Sequence, residues 1–434
     1  MNIVGGKWSN WSGNVRFRPR AVIEPADEVD LAAAVRKAEG HVRFPGTGHS
    51  FAPLNQTDGT LIDLSAFSGL KGFDPEREVA SIAAATPLWG LGSLLHPLGY
   101  ALKNMADIDR QTLGGAVATG THGTGRTLGS LSAEVASFRL LLTTGEVIHC
   151  SPEENPDIYA AGRLSLGLLG VMTEIDMKVR PIYKLQRKYF LHPAEELFRQ
   201  LDGLVEANRN FSFFWFPHSE VVVCRSLNET ECHAPTRHSA RTLFVRGERR
   251  RVDEYVLAGV AEAMRFVPGL MKPTHKFFSA FMSKRQKVRW SHEVYPSART
   301  VRYTAMEYAI PYGKGADVVQ ELAAAIRKAK IPTAFPLVFR TVAADDIWLS
   351  PFYGRDSATI TVHQYAKMDS EKLFDLCEAI FRNHGGRPHW AKIHTATRDE
   401  IAALYPKHEE FCALRRKLDP QGKFLNEHLG LLFA

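Results

Sequence analysis

Twelve consecutive residues constrain this chain more than any others: Gly114-Gly115-Ala116-Val117-Ala118-Thr119-Gly120-Thr121-His122-Gly123-Thr124-Gly125. Small residues and hydroxyls, with no bulky apolar side chain, let the backbone approach a large flat or phosphorylated ligand closely. A second segment, Pro45-Gly46-Thr47-Gly48-His49-Ser50, brackets one residue with two glycines. Glycine accepts positive φ and lacks a Cβ, so backbone N–H groups there can converge on an anion. This is not the dinucleotide fingerprint: Phe51 stands where the third glycine would be, and no helical pattern follows directly. A packing loop explains one such segment well and two in the same stretch poorly.

The texture around them alternates. Asp27 to Ala38 reads as a helix with Asp27 as N-cap, and Val42-Arg43-Phe44 feeds the first glycine loop as a strand. Thr60 to Leu64 and Glu78 to Ala83 read as strands, Pro87 to Leu98 as a helix, and Phe138 to His149 as a hairpin. Pro181 closes this part. Beyond it, strands such as Ser212 to Phe216, Val221 to Cys224 and Thr359 to His363 mix with helices over Asp317 to Lys330 and Ser370 to Asn383. A length of 434 residues exceeds one ordinary core. The predicted division is residues 1–182, 183–395, and a C-terminal segment 396–434.

Composition removes several classes. With 45% hydrophobic and 23% charged residues the chain is an ordinary globular protein. No apolar run is long enough for a bilayer span or a signal peptide, so a cytoplasmic protein without membrane contact is expected. The cysteines at 150, 224, 232, 377 and 412 are odd in number and scattered, which argues against a disulfide framework and a zinc site. No metal is expected. The net charge of +7 concentrates at Arg237, Arg241, Arg246, Arg249, Arg250 and Arg251. Aromatic residues are not interleaved there, so a solvated face is expected rather than a nucleic-acid surface. Phe266 to Met282, aromatic and broken by prolines, is expected to be a packed helix and loop.

The motifs in order resemble the FAD-linked oxidases of the vanillyl-alcohol-oxidase type, and within them the aldonolactone oxidase and alditol oxidase (gulonolactone oxidase-like) subfamily. The carriers are Pro45 to Ser50, Asn104-Met105-Ala106, Gly114-Gly115 through Gly125, and Leu169-Gly170-Val171. Ala343-Ala344-Asp345-Asp346-Ile347-Trp348-Leu349-Ser350-Pro351, Arg387-Pro388-His389-Trp390-Ala391-Lys392 and Leu418 to Phe424 complete the set. The resemblance implies an α+β fold: a two-domain FAD-binding fold of that type with an α+β substrate (cap) domain. It implies FAD held by Pro45, Gly46, Thr47, Gly48, His49 and Ser50. Asn104, Met105, Gly114, Gly115, Thr119, Thr121, His122, Gly123, Thr124, Gly170, Val171 and Lys392 complete the cofactor set, with His49 the covalent tether. His122 also reads as a brace for its loop.

The chemistry implied is removal of a hydride from a carbinol carbon by the flavin, a base taking the hydroxyl proton. A cation near the reduced flavin stabilises the charge that develops there. Arg340 and Lys392 match the cationic positions; His363, Glu307 and Asp107 are further catalytic candidates. Asp107 binds a substrate hydroxyl or braces its loop. The substrate implied is a small polyhydroxylated compound, with O2 or another electron acceptor. One departure stands out: related oxidases carry Glu two residues before this arginine, and here Val338 fills that place. Either another group (His363, Glu307, Asp107 or His394) is the base, or the substrate differs, or the chain is a catalytically altered or non-catalytic flavin-binding protein.

Overall fold

A computed structural model describes residues 3–232, 259, 262–267, 269, 273–275, 286–296 and 301–434. The basic segment Arg237 to Arg251 and most of the stretch Phe266 to Met282 lie outside the described residues. Near the N-terminus, Ala21–Ile23, Thr60–Ile62 and Val42–Arg43 form a small parallel sheet with Thr60–Ile62 in the middle. The helix Glu28–Lys37 crosses between its strands, and the Asp27 side chain accepts from the Asp30 N–H as an N-cap should. Leu31, Val35, Val42, Ile62 and Phe424 share one apolar cluster.

Beside it stands a larger sheet in the order Val147–Cys150, Val135–Leu141, Val171–Pro181, Val79–Ala83, Leu70–Asp74. Tyr100–Leu102 pairs with the far end of Val171–Pro181. The expected hairpin is present, with Phe138 opposite Cys150. Helices Arg398–Leu404, His408–Leu418 and Glu427–Phe433 pack onto the same core, where Ile401, Phe411 and Phe433 join Ile82, Leu140 and Ile175. Full burial of such side chains stabilises the fold by about 1.5–3 kcal/mol each.

The glycine-rich run, expected to be a loop, opens as a short helix over Leu113–Ala118. Thr112 is its N-cap, accepting from the Gly115 N–H, and the fully buried Leu113 and Val117 anchor it in the core. Packing offsets the roughly 1 kcal/mol that each glycine costs a helix.

An eight-stranded antiparallel sheet follows: Gln286–Trp290, Lys184–Pro193, Val221–Glu229, Asn210–Trp215, Leu337–Val342, Ser357–Tyr365, Tyr303–Pro311, Arg387–Pro388. Helices Ala194–Glu206, Gly315–Ala329 and Glu371–Asn383 cover one face, with Leu201, Leu322 and Phe381 packed against Phe213, Phe339 and Tyr308. Side chains alternate across a strand. Ser212, Phe214, Val338, Arg340, Thr361, His363 and Glu307 therefore fall on the other face, which meets the glycine-rich segment. Thr124 stitches the two parts: its Oγ1 donates to the Phe211 carbonyl and accepts from the Thr341 N–H at 3.1 Å. Among the described residues no helix is long and apolar enough to cross a membrane.

Candidate active site

A cavity of about 400 Å³ separates the small parallel sheet from the six-stranded one, within the range of about 300–1,000 Å³ typical of ligand sites. Pro45, Gly46, Thr47, Gly48, His49 and Ser50 line one side, Thr112, Gly114, Gly115 and Thr119 another, and Gly170 and Val171 a third. Gly48 turns at φ +74°, a conformation that glycine adopts without a Cβ clash. A Cβ on Gly46 would sit 2.8 Å from Thr112 Oγ1, so loop and helix approach more closely than a side chain permits.

Asp63 is the only acid in the lining. Arg43 is buried and donates to the carbonyls of Leu54, Phe424 and Leu166, with no carboxylate partner among the described residues. Burial pulls its pKa down to about 10, so it remains a cation. Glycine backbone, hydroxyls, one buried cation and little negative charge fit the pyrophosphate and ribityl parts of FAD. The His49 ring stacks on Trp11 with centroids 5.7 Å apart. Burial, then Lys392 and Arg110, lowers its pKa to about 4, leaving a neutral imidazole at neutral pH.

Next to this loop the two parts of the fold enclose a charged centre. Glu307 accepts from Thr361 Oγ1 at 2.8 Å, and its Oε1 lies 2.6 Å from His122 Nε2. Arg340 Nη1 and Lys392 Nζ each stand 3.9 Å from Glu307 Oε2. Burial alone would raise this carboxyl, yet His122, Lys392 and His389 hold it well below the usual carboxylate range. His122 Nδ1 faces the Gly123 carbonyl at 2.9 Å, so both of its ring nitrogens meet acceptors. Lys392 Nζ also lies 5.1 Å from the centroid of Phe51, the residue after the cofactor loop.

A second pair adjoins the first. Asp107 accepts a two-pronged contact from Arg225, at 2.7 and 3.1 Å, and one from Arg340 Nη2 at 3.1 Å. Arg225 Nε donates to Ser212 Oγ at 3.0 Å. His389, whose pKa burial drives to about 3, accepts from the Ala391 N–H through Nδ1. The ligand atoms of His122, Glu307 and His389 lie within 4.8 Å of one another.

Glu307, Arg340, Lys392 and Asp107 therefore come together. His363 shares their sheet face but sits against Tyr303 and Phe335. The His394 ring contacts Trp390 and His428. His122 reaches Glu307 in the opposite part of the fold instead of merely bracing its loop. Thr121 accepts from Gln111, Gly123 packs on Asn104 and Met105, and Thr124 holds the cap strands. Val338 packs with Phe214 and Val223. Arg225, Arg43, Thr361 and His389 were not singled out from sequence. Two carried a signal: His389 lies in the Arg387 to Lys392 motif, and Arg225 is a charge directly after the apolar run Val221 to Cys224.

A glycine-lined cavity that fits FAD, in a fold that also gathers a buried carboxylate and cations around Glu307, points to a flavin-dependent oxidoreductase. Residues 19–151 match the FAD binding domain, and residues 175–431 match the family described as D-arabinono-1,4-lactone oxidase. The chain belongs to that family. It is 34% identical over 425 residues, 97% of each chain, to L-gulono-1,4-lactone dehydrogenase of Mycobacterium tuberculosis (strain CDC 1551 / Oshkosh). It is 30% identical to L-gulonolactone oxidase of Bos taurus, covering 99% of this chain and 98% of the other. To alditol oxidase of Streptomyces sp. it is 28% identical over 97% of each. The fold matches cholesterol oxidase from B. sterolicum with a TM-score of 0.80 at 16% identity, covering 99% of this chain and 97% of that one; that likeness concerns fold alone. The non-catalytic reading is not favoured.

Proposed function

We propose that this enzyme oxidises a carbinol (CH–OH) of a sugar lactone, sugar alcohol or related polyhydroxylated compound, with O2 or another acceptor taking the electrons onward. The observation that carries the reading is Glu307, kept ionised in a buried site between His122, Thr361, Arg340 and Lys392, beside the cofactor loop. Bound FAD supplies the two-electron acceptor. Glu307 accepts the hydrogen bond of the reacting hydroxyl, orients the carbinol carbon, and takes the hydroxyl proton as the hydride leaves that carbon. Lys392 and Arg340 stabilise the negative charge that develops as the carbinol is oxidised. Asp107 holds Arg340 and Arg225 in place. The same reading divides the chain at residues 182 and 395, and the unpaired state of all five cysteines supports a cytoplasmic setting.

His49 is proposed as the covalent tether, because a neutral imidazole in the cavity wall has the lone pair that bond formation requires. Acid precipitation tests this: colour stays in the pellet of the native protein and moves to the supernatant for His49→Ala. Complete release from the native protein would remove the tether and leave FAD binding intact. Anaerobic mixing with a panel of sugar lactones and alditols tests the activity. Bleaching of the flavin absorbance by at least one of them is expected, and no bleaching by any would overturn the reading.

A further inference from the structure

A short turn near the N-terminus is hydrogen-bonded to the cofactor loop at three points. The Trp11 N–H donates to the Gly48 carbonyl at 2.8 Å, Asn10 Nδ2 to the Ser50 carbonyl at 2.9 Å, and Asn14 Nδ2 to the Phe51 carbonyl at 2.9 Å. Asn10 is 4% exposed and also closes the turn on itself, its Oδ1 accepting from the Gly13 and Val15 N–H groups. A buried amide satisfied at both ends is costly to displace. Each peptide unit is planar and trans, so a loop carbonyl directed at this turn sends the next N–H the other way. That of Phe51 meets the Ala391 carbonyl at 2.7 Å, and that of His49 likewise points away from the turn.

Trp11 extends this clamp to the His49 side chain. Its ring lies against the imidazole with centroids 5.7 Å apart and planes 28° from parallel, inside the span of about 4.5–7 Å for offset aromatic pairs. Tyr303 meets the same indole edge-on, at 5.2 Å and 70°. Tyr303 is buried, packs on Phe51 and opens the strand Tyr303–Pro311 that carries Glu307. The indole is therefore set by its own backbone bond and by a fixed tyrosine. A ring held against an imidazole excludes the side-chain rotamers that would pass through it.

Resting on the proposed tether at His49, we propose that Trp11 is a positioning residue for flavin attachment. The turn Asn10 to Asn14 fixes the loop, and the indole holds the His49 ring at the angle from which an imidazole nitrogen meets the flavin 8α-carbon. Attachment takes one hydrogen from the imidazole N–H and one from the 8α-methyl group, and joins nitrogen to carbon. The two electrons pass through the flavin to O2, which leaves with the two protons as hydrogen peroxide. Trp11 exchanges no atom in this step. It acts through the approach of the two reacting atoms, where a misplacement of ~1 Å costs about 100-fold in rate.

The test measures acid-stable flavin against total bound flavin in the purified full-length protein, as isolated and during incubation with FAD in air. The native protein is expected to keep its flavin in the acid pellet. Trp11→Leu retains apolar bulk without the flat ring. It is expected to bind as much FAD, to release most of it to acid as isolated, and to attach it about 100-fold more slowly, while Trp11→Phe restores attachment. If Trp11→Leu does not fold, Asn14→Ala, at an exposed position, loosens the same turn and carries the test, with slowed attachment expected. Attachment at the native rate in the variant tested would overturn the positioning role and leave the tether standing. So would a loss of attachment that only follows a loss of total FAD and of thermal midpoint. Complete release of flavin from the native protein would overturn the tether and the positioning role together.

Discussion

Glu307 is a carboxylate where burial favours the neutral acid, and it is ionised because His122, Lys392 and His389 outweigh that penalty. Asp107 lies one step away, shared between Arg225 and Arg340. Asp107→Asn leaves two guanidinium groups without their shared counter-charge. The expected loss is about 3–5 kcal/mol of stability, the range for breaking a buried pair by removing one partner; an unchanged urea midpoint would show that the pair is not a structural unit. At this scale the sequence was informative where residue type and motif coincide. Glu307, Arg340, Lys392 and Asp107 were all marked, and all meet. Arg225 was not, because its carboxylate partner lies 118 positions away and only strand pairing brings them together. For His122 the loop context suggested a local brace, while its partner Glu307 is 185 positions distant.

The strands were legible as elements because alternation and β-branched runs are local signals. The helix Leu113–Ala118 was not, since its glycines argue against helix and its stability comes from Thr112 capping and from a core assembled elsewhere. The joint at Thr124 was also invisible, because its two bonds reach separate strands of another sheet. Thr124→Val keeps the volume and removes both. The expected cost is about 1–3 kcal/mol, accompanied by faster hydrogen exchange at the Thr341 amide. Unaltered exchange there would mean that the cap is held against the glycine-rich segment by other contacts.

Across the whole molecule, several histidines are buried in the neutral form. Burial lowers His275 and His394 to about 4 and His389 to about 3. Between these values and the unfolded value near 6.5, the unfolded chain binds more protons than the folded one. Stability is therefore full above about pH 6.5 and falls as pH drops toward 4, by at most about 1.4 kcal/mol per histidine per pH unit. Thermal unfolding at pH 7 and pH 4.5 should show a large drop in Tm, reduced in His394→Phe; equal melting temperatures would contradict the buried neutral state. The most direct measurement at the active centre is stopped-flow flavin reduction under anaerobic conditions, comparing the native enzyme with Glu307→Gln on a carbinol substrate that the native enzyme oxidises. The expected result is retained flavin and a reduction rate lower by about 100- to 10,000-fold, the usual range for a positioned acid–base group. Equal reduction rates in the two proteins would contradict the assignment of Glu307 to the reacting hydroxyl.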